Sequence, residues 1–161
     1  MKKLFLASLL FSGFAFAQQK FVCVDPNRIL SESKSVAQAQ EQLRKKVKDY
    51  QQQLDEKQKK LDELKKQIES KGISQKAKEE KIKEYQKIEA EGIELQQKAQ
   101  KEIMELKSKL EEEILSKVKA IAENIAKKNG YAGVLDCSAF VYKQPDIDIT
   151  DAVIKSLDQG K

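Results

Sequence analysis

Residues 34–86 read KSVAQAQEQLRKKVKDYQQQLDEKQKKLDELKKQIESKGISQKAKEEKIKEYQ, and this stretch decides the fold. Steps of three and four residues pick out Ile29, Val36, Leu43, Val47, Tyr50, Leu54, Leu61, Leu64 and Ile68, with Ser33, Gln40 and Lys57 in the same register. Nine of these twelve seam positions are apolar or Tyr, so the pattern predicts a coiled-coil helix. Its flanks are Lys, Glu, Gln and Asp, with supporting i,i+4 pairs such as Glu56–Lys60 and Asp62–Lys66. Asp25-Pro26 supplies an N-cap and a proline at the first helical position, and no Gly or Pro follows as far as Ser70. Gly72 interrupts the pattern and Ser74 can cap a second helix, which runs to about Asn129 and stops at Gly130. The stripe of that helix holds Ile82, Tyr85, Ile88, Leu95, Ala99, Ile103, Leu106 and Leu110, then Ile114, Val118, Ile121 and Ile125. The strict heptad lapses after Leu110, which implies less supercoil there.

Two such helices joined by a turn of three or four residues run antiparallel as a hairpin. About 45 residues at 1.5 Å each make an arm of roughly 65–70 Å. The expected organisation is an arm over residues 26–129, with its tip near 70–74, standing on a small body made of residues 18–25 and 130–161. Within that body Phe21 to Val24 reads as a strand, Tyr131 to Asp136 as another, and Ala139 to Tyr142 as a third after a tight turn. Asp148-Ile149-Thr150-Asp151 opens a short helix through Ala152, Val153, Ile154 and Leu157. A body of about 35 residues is too small to build a sufficient core alone and calls for disulfides, metals or oligomerisation. Oligomerisation is the preferred answer. If the strands entering and leaving the hairpin pair antiparallel, Cys23 lies near the arm and Cys137 at the far end. That separation exceeds the ~7 Å Cα limit for a disulfide, so the topology favours two small buried or half-buried thiols, although an exported compartment would permit a bond.

The chain has 161 residues, 31 basic and 26 acidic side chains, a formal charge of +5, no His, no Trp and two Cys. The absence of His removes the usual general base and transition-metal ligand, and two Cys cannot complete a four-ligand zinc site. No glycine-rich phosphate loop, nucleophile elbow or H-E-x-x-H motif is present. Paired carboxylates such as Asp62-Glu63 belong to solvated helix faces, and no cofactor is called for. These features exclude most enzyme classes. Lys2 and Lys3, the apolar run from Leu4 to Phe16 and the small residues around Ala15-Phe16-Ala17 form a secretory signal peptide over residues 1–17. Cleavage between Ala17 and Gln18 would leave 144 residues carrying +3. The apolar run is too short for a permanent span, so the mature chain is expected to be exported and soluble.

Charge is uneven along the chain. Residues 57–87 hold eleven Lys against six acidic residues, a local +5, while residues 131–161 carry a local −2. The basic tip, with Lys65, Lys66, Lys71, Lys76 and Lys78, would suit an anionic lipid surface or acidic partners. Nucleic acid is disfavoured in an exported chain whose only arginines are Arg28 and Arg44. Ile73, Ile93 and Leu115 lie off the seam and, with Tyr50 and Tyr85, are candidates for scattered weak contacts to unfolded chains.

The leader, the strand Phe21-Val22-Cys23-Val24, the long hairpin and the tail V-L-D-C-S-A-F-V-Y…D-I-D-I-T-D-A-V-I-K together resemble the Skp/OmpH family of periplasmic chaperones over residues 20–158. The specific positions are Val134, Leu135, Asp136, Tyr142, Asp148, Ile149, Thr150, Val153 and Ile154; the coiled middle carries little specificity. The resemblance implies an α+β fold dominated by helix, with a coiled-coil arm on a small β body completed by trimerisation. Phe21, Val22, Cys23, Val24, Val134, Leu135, Phe140, Val141, Tyr142, Ile149, Val153 and Ile154 would build that oligomerisation body. It further implies ATP-independent holding, in a cavity between arms, of unfolded outer-membrane β-barrel proteins, whose strands expose alternating apolar residues. The rival reading is an exported coiled-coil spacer or adaptor that binds one folded partner.

Overall fold

The computed structural model describes residues 20–160; the leader, with Ala17 and Gln18, lies outside the described residues. Six elements follow in order: β1 (Phe21–Val24), α1 (Pro26–Glu32), α2 (Lys34–Ile68), α3 (Gln75–Asn129), β2 (Gly133–Asp136) and α4 (Thr150–Asp158). The fold is helical and carries one small two-stranded sheet. Helices α2 and α3 pack along each other as the hairpin. At 1.5 Å per residue α2 is about 52 Å long and α3 about 82 Å, so α3 continues past α2 into the body.

The expected single helix from Pro26 to Ser70 is broken at Ser33. Asp25 caps α1 by accepting from Asn27 N and Arg28 N. Ser33 then turns extended (ψ 130°), and its hydroxyl accepts from Val36 N to cap α2. The break is held from the other end of the chain. The Asp158 carboxylate accepts from Ser33 Oγ (2.7 Å), Ser35 N (3.0 Å) and Lys34 N (3.2 Å), and Ser35 Oγ donates to the Leu157 carbonyl (3.0 Å). An anion thus sits on the free N–H groups and positive dipole end of α2. At the tip the connection spans six residues, Glu69 to Ser74, longer than the expected turn, and Ser74 caps α3 through Ala77 N.

The expectation of antiparallel strands is wrong: β1 and β2 pair parallel, with Phe21 opposite Gly133 and Val24 opposite Asp136. The reason lies at Gly130. It adopts the left-handed conformation (φ 68°), Tyr131 N donates to Ala126 O (2.9 Å), and Gly130 N donates to Lys127 O (3.4 Å). These two bonds make a Schellman turn, which reverses the chain as it leaves α3. The strand therefore runs back alongside β1 instead of continuing the direction of the helix. In this register Cys23 faces Leu135, and Cys137 follows two residues on. Their Cα atoms lie 4.9 Å apart, and the two cysteines form an intrachain disulfide. The preference for free thiols is overturned with the strand direction that supported it.

The third expected strand is also absent. Cys137–Ala139 form a 3-10 turn capped by Asp136, and Phe140 to Tyr142 leave it unpaired among the described residues. The other side of β1 is taken instead by an isolated parallel bridge from Cys23 to Asp148, with Ile149 N donating to Cys23 O (2.9 Å). Helix α4 begins close to the expected position.

The core joins Val22, Ile149, Val153 and Leu157 to Ile29, Val36, Ile121 and Ala122 from the base of the arm. The body is thus larger than its strands and tail, because the arm's own root supplies half of its buried side chains. Thr150 is fully buried but satisfied: its hydroxyl accepts from Asp25 N (2.9 Å) and donates to Asp148 (2.5 Å).

Two substitutions test these joints. Gly130→Ala puts a Cβ at positive φ and should cost about 1 kcal/mol, read as a lower midpoint of urea unfolding. Cys137→Ser opens a loop of 114 residues and should cost about 2–5 kcal/mol in the same assay, with β1 and β2 amides losing hydrogen-exchange protection.

Candidate functional site

Along the arm the seam is thin. Most of its apolar residues are half-buried, and Val36, Tyr50, Leu64, Ala99, Ile121, Ala122 and Ala126 are the buried side chains of α2 and α3. Two polar ties cross it. Lys57 occupies a seam position, and its ammonium reaches Glu91 Oε2 at 2.7 Å. Nearer the body, Tyr50 donates its hydroxyl to Glu102 Oε2 (2.5 Å), Lys46 pairs with the same carboxylate at 2.8 Å, and its ammonium stands 5.0 Å above the Tyr50 ring. Lys46, and then the Tyr50 hydroxyl, hold the Glu102 carboxyl below its ordinary range. This arrangement removes Tyr50 from the outward-facing candidates: it is buried and serves as a cross-arm strut.

Beside the Lys57–Glu91 tie the two helices leave a gap. Gly92 brings no side chain to it, and an open recess of about 460 Å³ results, bordered by Leu54, Leu61, Tyr85, Gly92 and Ile93. Two of the expected contact residues, Tyr85 and Ile93, therefore meet at one place. Leu115 is exposed far down α3, and Ile73 is half-buried in the tip connection. Lys65, Lys66, Lys71 and Lys76 are exposed around that connection, and Lys78 is half-buried.

The body residues divide into two groups. Val22, Cys23, Ile149 and Val153 are buried within the single chain; Val24, Val134, Phe140 and Ile154 are half-buried. Phe21, Leu135, Val141 and Tyr142 are exposed, the last two almost completely. Among the described residues β2 pairs with β1 alone, which leaves its outer edge open. Next to that edge lies an apolar recess of about 530 Å³, lined by Val24, Ala122, Ala126, Tyr131, Val134 and Leu135.

One cluster resembles a metal site in outline only: ligand atoms of Cys23, Cys137 and Asp148 lie within 4.8 Å of one another. Both sulfurs are bonded to each other, so neither is a thiolate. Asp148 is already engaged by Lys143, the Thr150 hydroxyl and Thr150 N. Burial pushes the Asp148 carboxyl up, but the Lys143 and Thr150 hydrogen bonds outweigh it and hold the group at about 2. Asp158 is likewise lowered, burial being overcome by hydrogen bonds from Ser35, Ser33 and Lys34.

Sequence reasoning missed Asp158 altogether. The Ser33-Lys34-Ser35 run was a usable signal for a helix start, but nothing local marks the carboxylate 125 residues away that completes it. Lys57 was visible as a polar seam residue, whereas its partner Glu91 required the helix register.

A carboxyl whose folded-state pKa is depressed stabilises the fold above its ordinary value, and that contribution disappears as pH falls through the folded value. Asp148 should therefore make thermal stability of the body fall between about pH 4 and about pH 2, with Asp148→Asn flattening the dependence in calorimetry.

Comparison with known proteins agrees with this architecture. The chain is 45% identical over 159 residues to an uncharacterised protein of Aquifex aeolicus (strain VF5), covering 99% of this chain and 98% of that one. The crystal structure of an OmpH-like outer membrane chaperone of Caulobacter crescentus CB15 superposes with a TM-score of 0.77 at 21% identity, over 90% of this chain and 87% of the other, and so has the same fold. The model of the outer membrane protein (OmpH-like) family matches residues 20–157, the arm and both halves of the body together, and the chain belongs to that family.

Proposed function

We propose that this protein is a periplasmic, ATP-independent holdase. It assembles as a homotrimer and keeps unfolded outer-membrane β-barrel proteins from aggregating in the space between three arms. The observation that carries the reading is the arm itself. It is a two-helix projection whose helices are about 52 and 82 Å long, bearing an open recess at Tyr85, Gly92 and Ile93 and apolar side chains left uncovered along its length. Such contacts are individually weak, and enclosure raises their effective concentration without preventing release. No helix of the described residues is long and apolar enough to cross a membrane, which fits export behind a cleaved leader.

Trimerisation is supported by the open edge of β2, the apolar recess beside it and the exposed Val141 and Tyr142. An unpaired edge and an uncovered apolar hollow are both costs that a neighbouring copy would relieve. The basic tip adds a surface suited to anionic lipid, reached when the arms point towards a membrane.

Light scattering on the mature chain should give three times the chain mass. Deleting residues 43–110 should leave that assembly in place and abolish protection of urea-unfolded membrane barrels. A monomer would remove the trimer. Protection surviving the deletion would remove the cavity, and protection of no unfolded barrel together with one stoichiometric folded partner would make the protein an adaptor.

A further inference from the structure

Four exposed apolar residues of α3 recur at one interval. Ile82, Ile93, Met104 and Leu115 stand eleven residues apart, and their exposures are 37%, 56%, 65% and 69%. Eleven residues make three helical turns with only about 20° left over, so these side chains trace a slowly winding line. Each step is about 16 Å and the whole line about 50 Å. Ile93, Met104 and Leu115 lie off the seam, and Ile82, which the spacing puts on the stripe, stands at its exposed edge. Ile88, Leu95, Ala99 and Ile103 turn inward towards α2, while the line runs along the flank that holds the recess beside Ile93. The next step of eleven reaches Ala126, which is buried at the root of the arm, so the line ends where the body begins.

The residues between the anchors are polar: Gln96, Gln97, Gln100, Lys101, Lys107 and Ser108 lie along this flank or next to it. A partner helix from a second copy would need two apolar contacts in every seven residues, and this face offers one in eleven. Four isolated side chains also fall short of the ~1,000 Å² that a stable folded interface buries. The occupant that suits such a face is an extended chain, which advances about 3.3 Å per residue and touches separated points.

We infer that Ile82, Ile93, Met104 and Leu115 form a track along which an extended, alternating apolar segment of an unfolded chain lies; this rests on the holdase reading. The spacing also selects the segment. Neighbouring anchors are about five extended residues apart, an odd number that reverses the side-chain direction. Alternate anchors, Ile82 with Met104 or Ile93 with Leu115, are about 33 Å or ten extended residues apart, so they meet the same face of a strand. Ten residues is about the length of one membrane-spanning β-strand. One strand of a barrel therefore spans one pair of anchors.

The test uses the full mature chain with a urea-unfolded eight-stranded membrane barrel as probe. Ile82→Gln, Ile93→Gln, Met104→Gln and Leu115→Gln are made singly and together. The sites are solvent-facing, so helicity by circular dichroism and assembly mass should not change. Each single variant should weaken holding about threefold and the quadruple variant about a hundredfold. A quadruple variant that holds the probe as tightly as wild type overturns the track while leaving the holdase reading intact. A loss of assembly mass in that variant would reveal a contact between copies and also overturn it. A wild-type chain that holds no unfolded barrel overturns the holdase reading and the track together.

Discussion

The pairing of β1 with β2 closes the molecule, and the geometry of the arm depends on it. Two strands of four residues each meet side by side although the whole hairpin separates them in sequence. A parallel pair cannot be joined by a tight turn; it needs a crossover connection. Here the crossover is the arm, so the element that projects into solvent is also the link that permits the sheet. The Schellman turn at Gly130 sets the direction of the returning strand, and the Cys23–Cys137 bond fixes its position. Helix α4 completes the closure: its Asp158 carboxylate caps α2, its Val153 and Leu157 fill the core, and Asp151 pairs with Arg28 at the start of α1.

The two halves of the structure follow different rules. The body is tightly satisfied. Val22, Cys23, Val153 and Thr150 are fully buried, and no buried side-chain polar atom of the described residues lacks a partner. The arm is held by a narrow stripe of half-buried aliphatics with polar ties at Lys57–Glu91 and Tyr50–Glu102. Exposed ion pairs along α3, such as Lys101–Glu105 and Lys107–Glu111, add little individually. The thin seam leaves Ile93, Met104 and Leu115 uncovered on α3.

The arm was legible because its signals are local and periodic. The seam from Ile29 to Ile68, the caps at Asp25 and Ser74 and the stop at Gly130 all rest on neighbours within one or two turns. What escaped was long-range or three-dimensional. Gly130 was read as an end without the reversal it imposes, and the strand direction and the disulfide were misread as a consequence. Ala139 to Tyr142 has the composition of a strand, yet the Asp136 cap and the 3-10 turn at Cys137 divert the chain before it can pair. Of the line on α3 the sequence singled out only Ile93 and Leu115; Ile82 was assigned to the stripe and Met104 passed over, because which stripe-edge side chains stay exposed depends on how α3 packs against α2.

Loop-closure entropy also favours one order of assembly. Contacts at the tip join residues close in sequence, whereas those between β1 and β2 join residues more than a hundred positions apart, at a far larger loop-closure cost. A hairpin that zips downward from Gly72 shortens the open loop with every turn it adds. By the time α3 reaches Gly130, the ends are held within reach of each other, and the strands pair across a gap the zipper has already closed. The limb thus lowers the closure cost of the strand pair, turning a contact more than a hundred residues apart into a nearly local one.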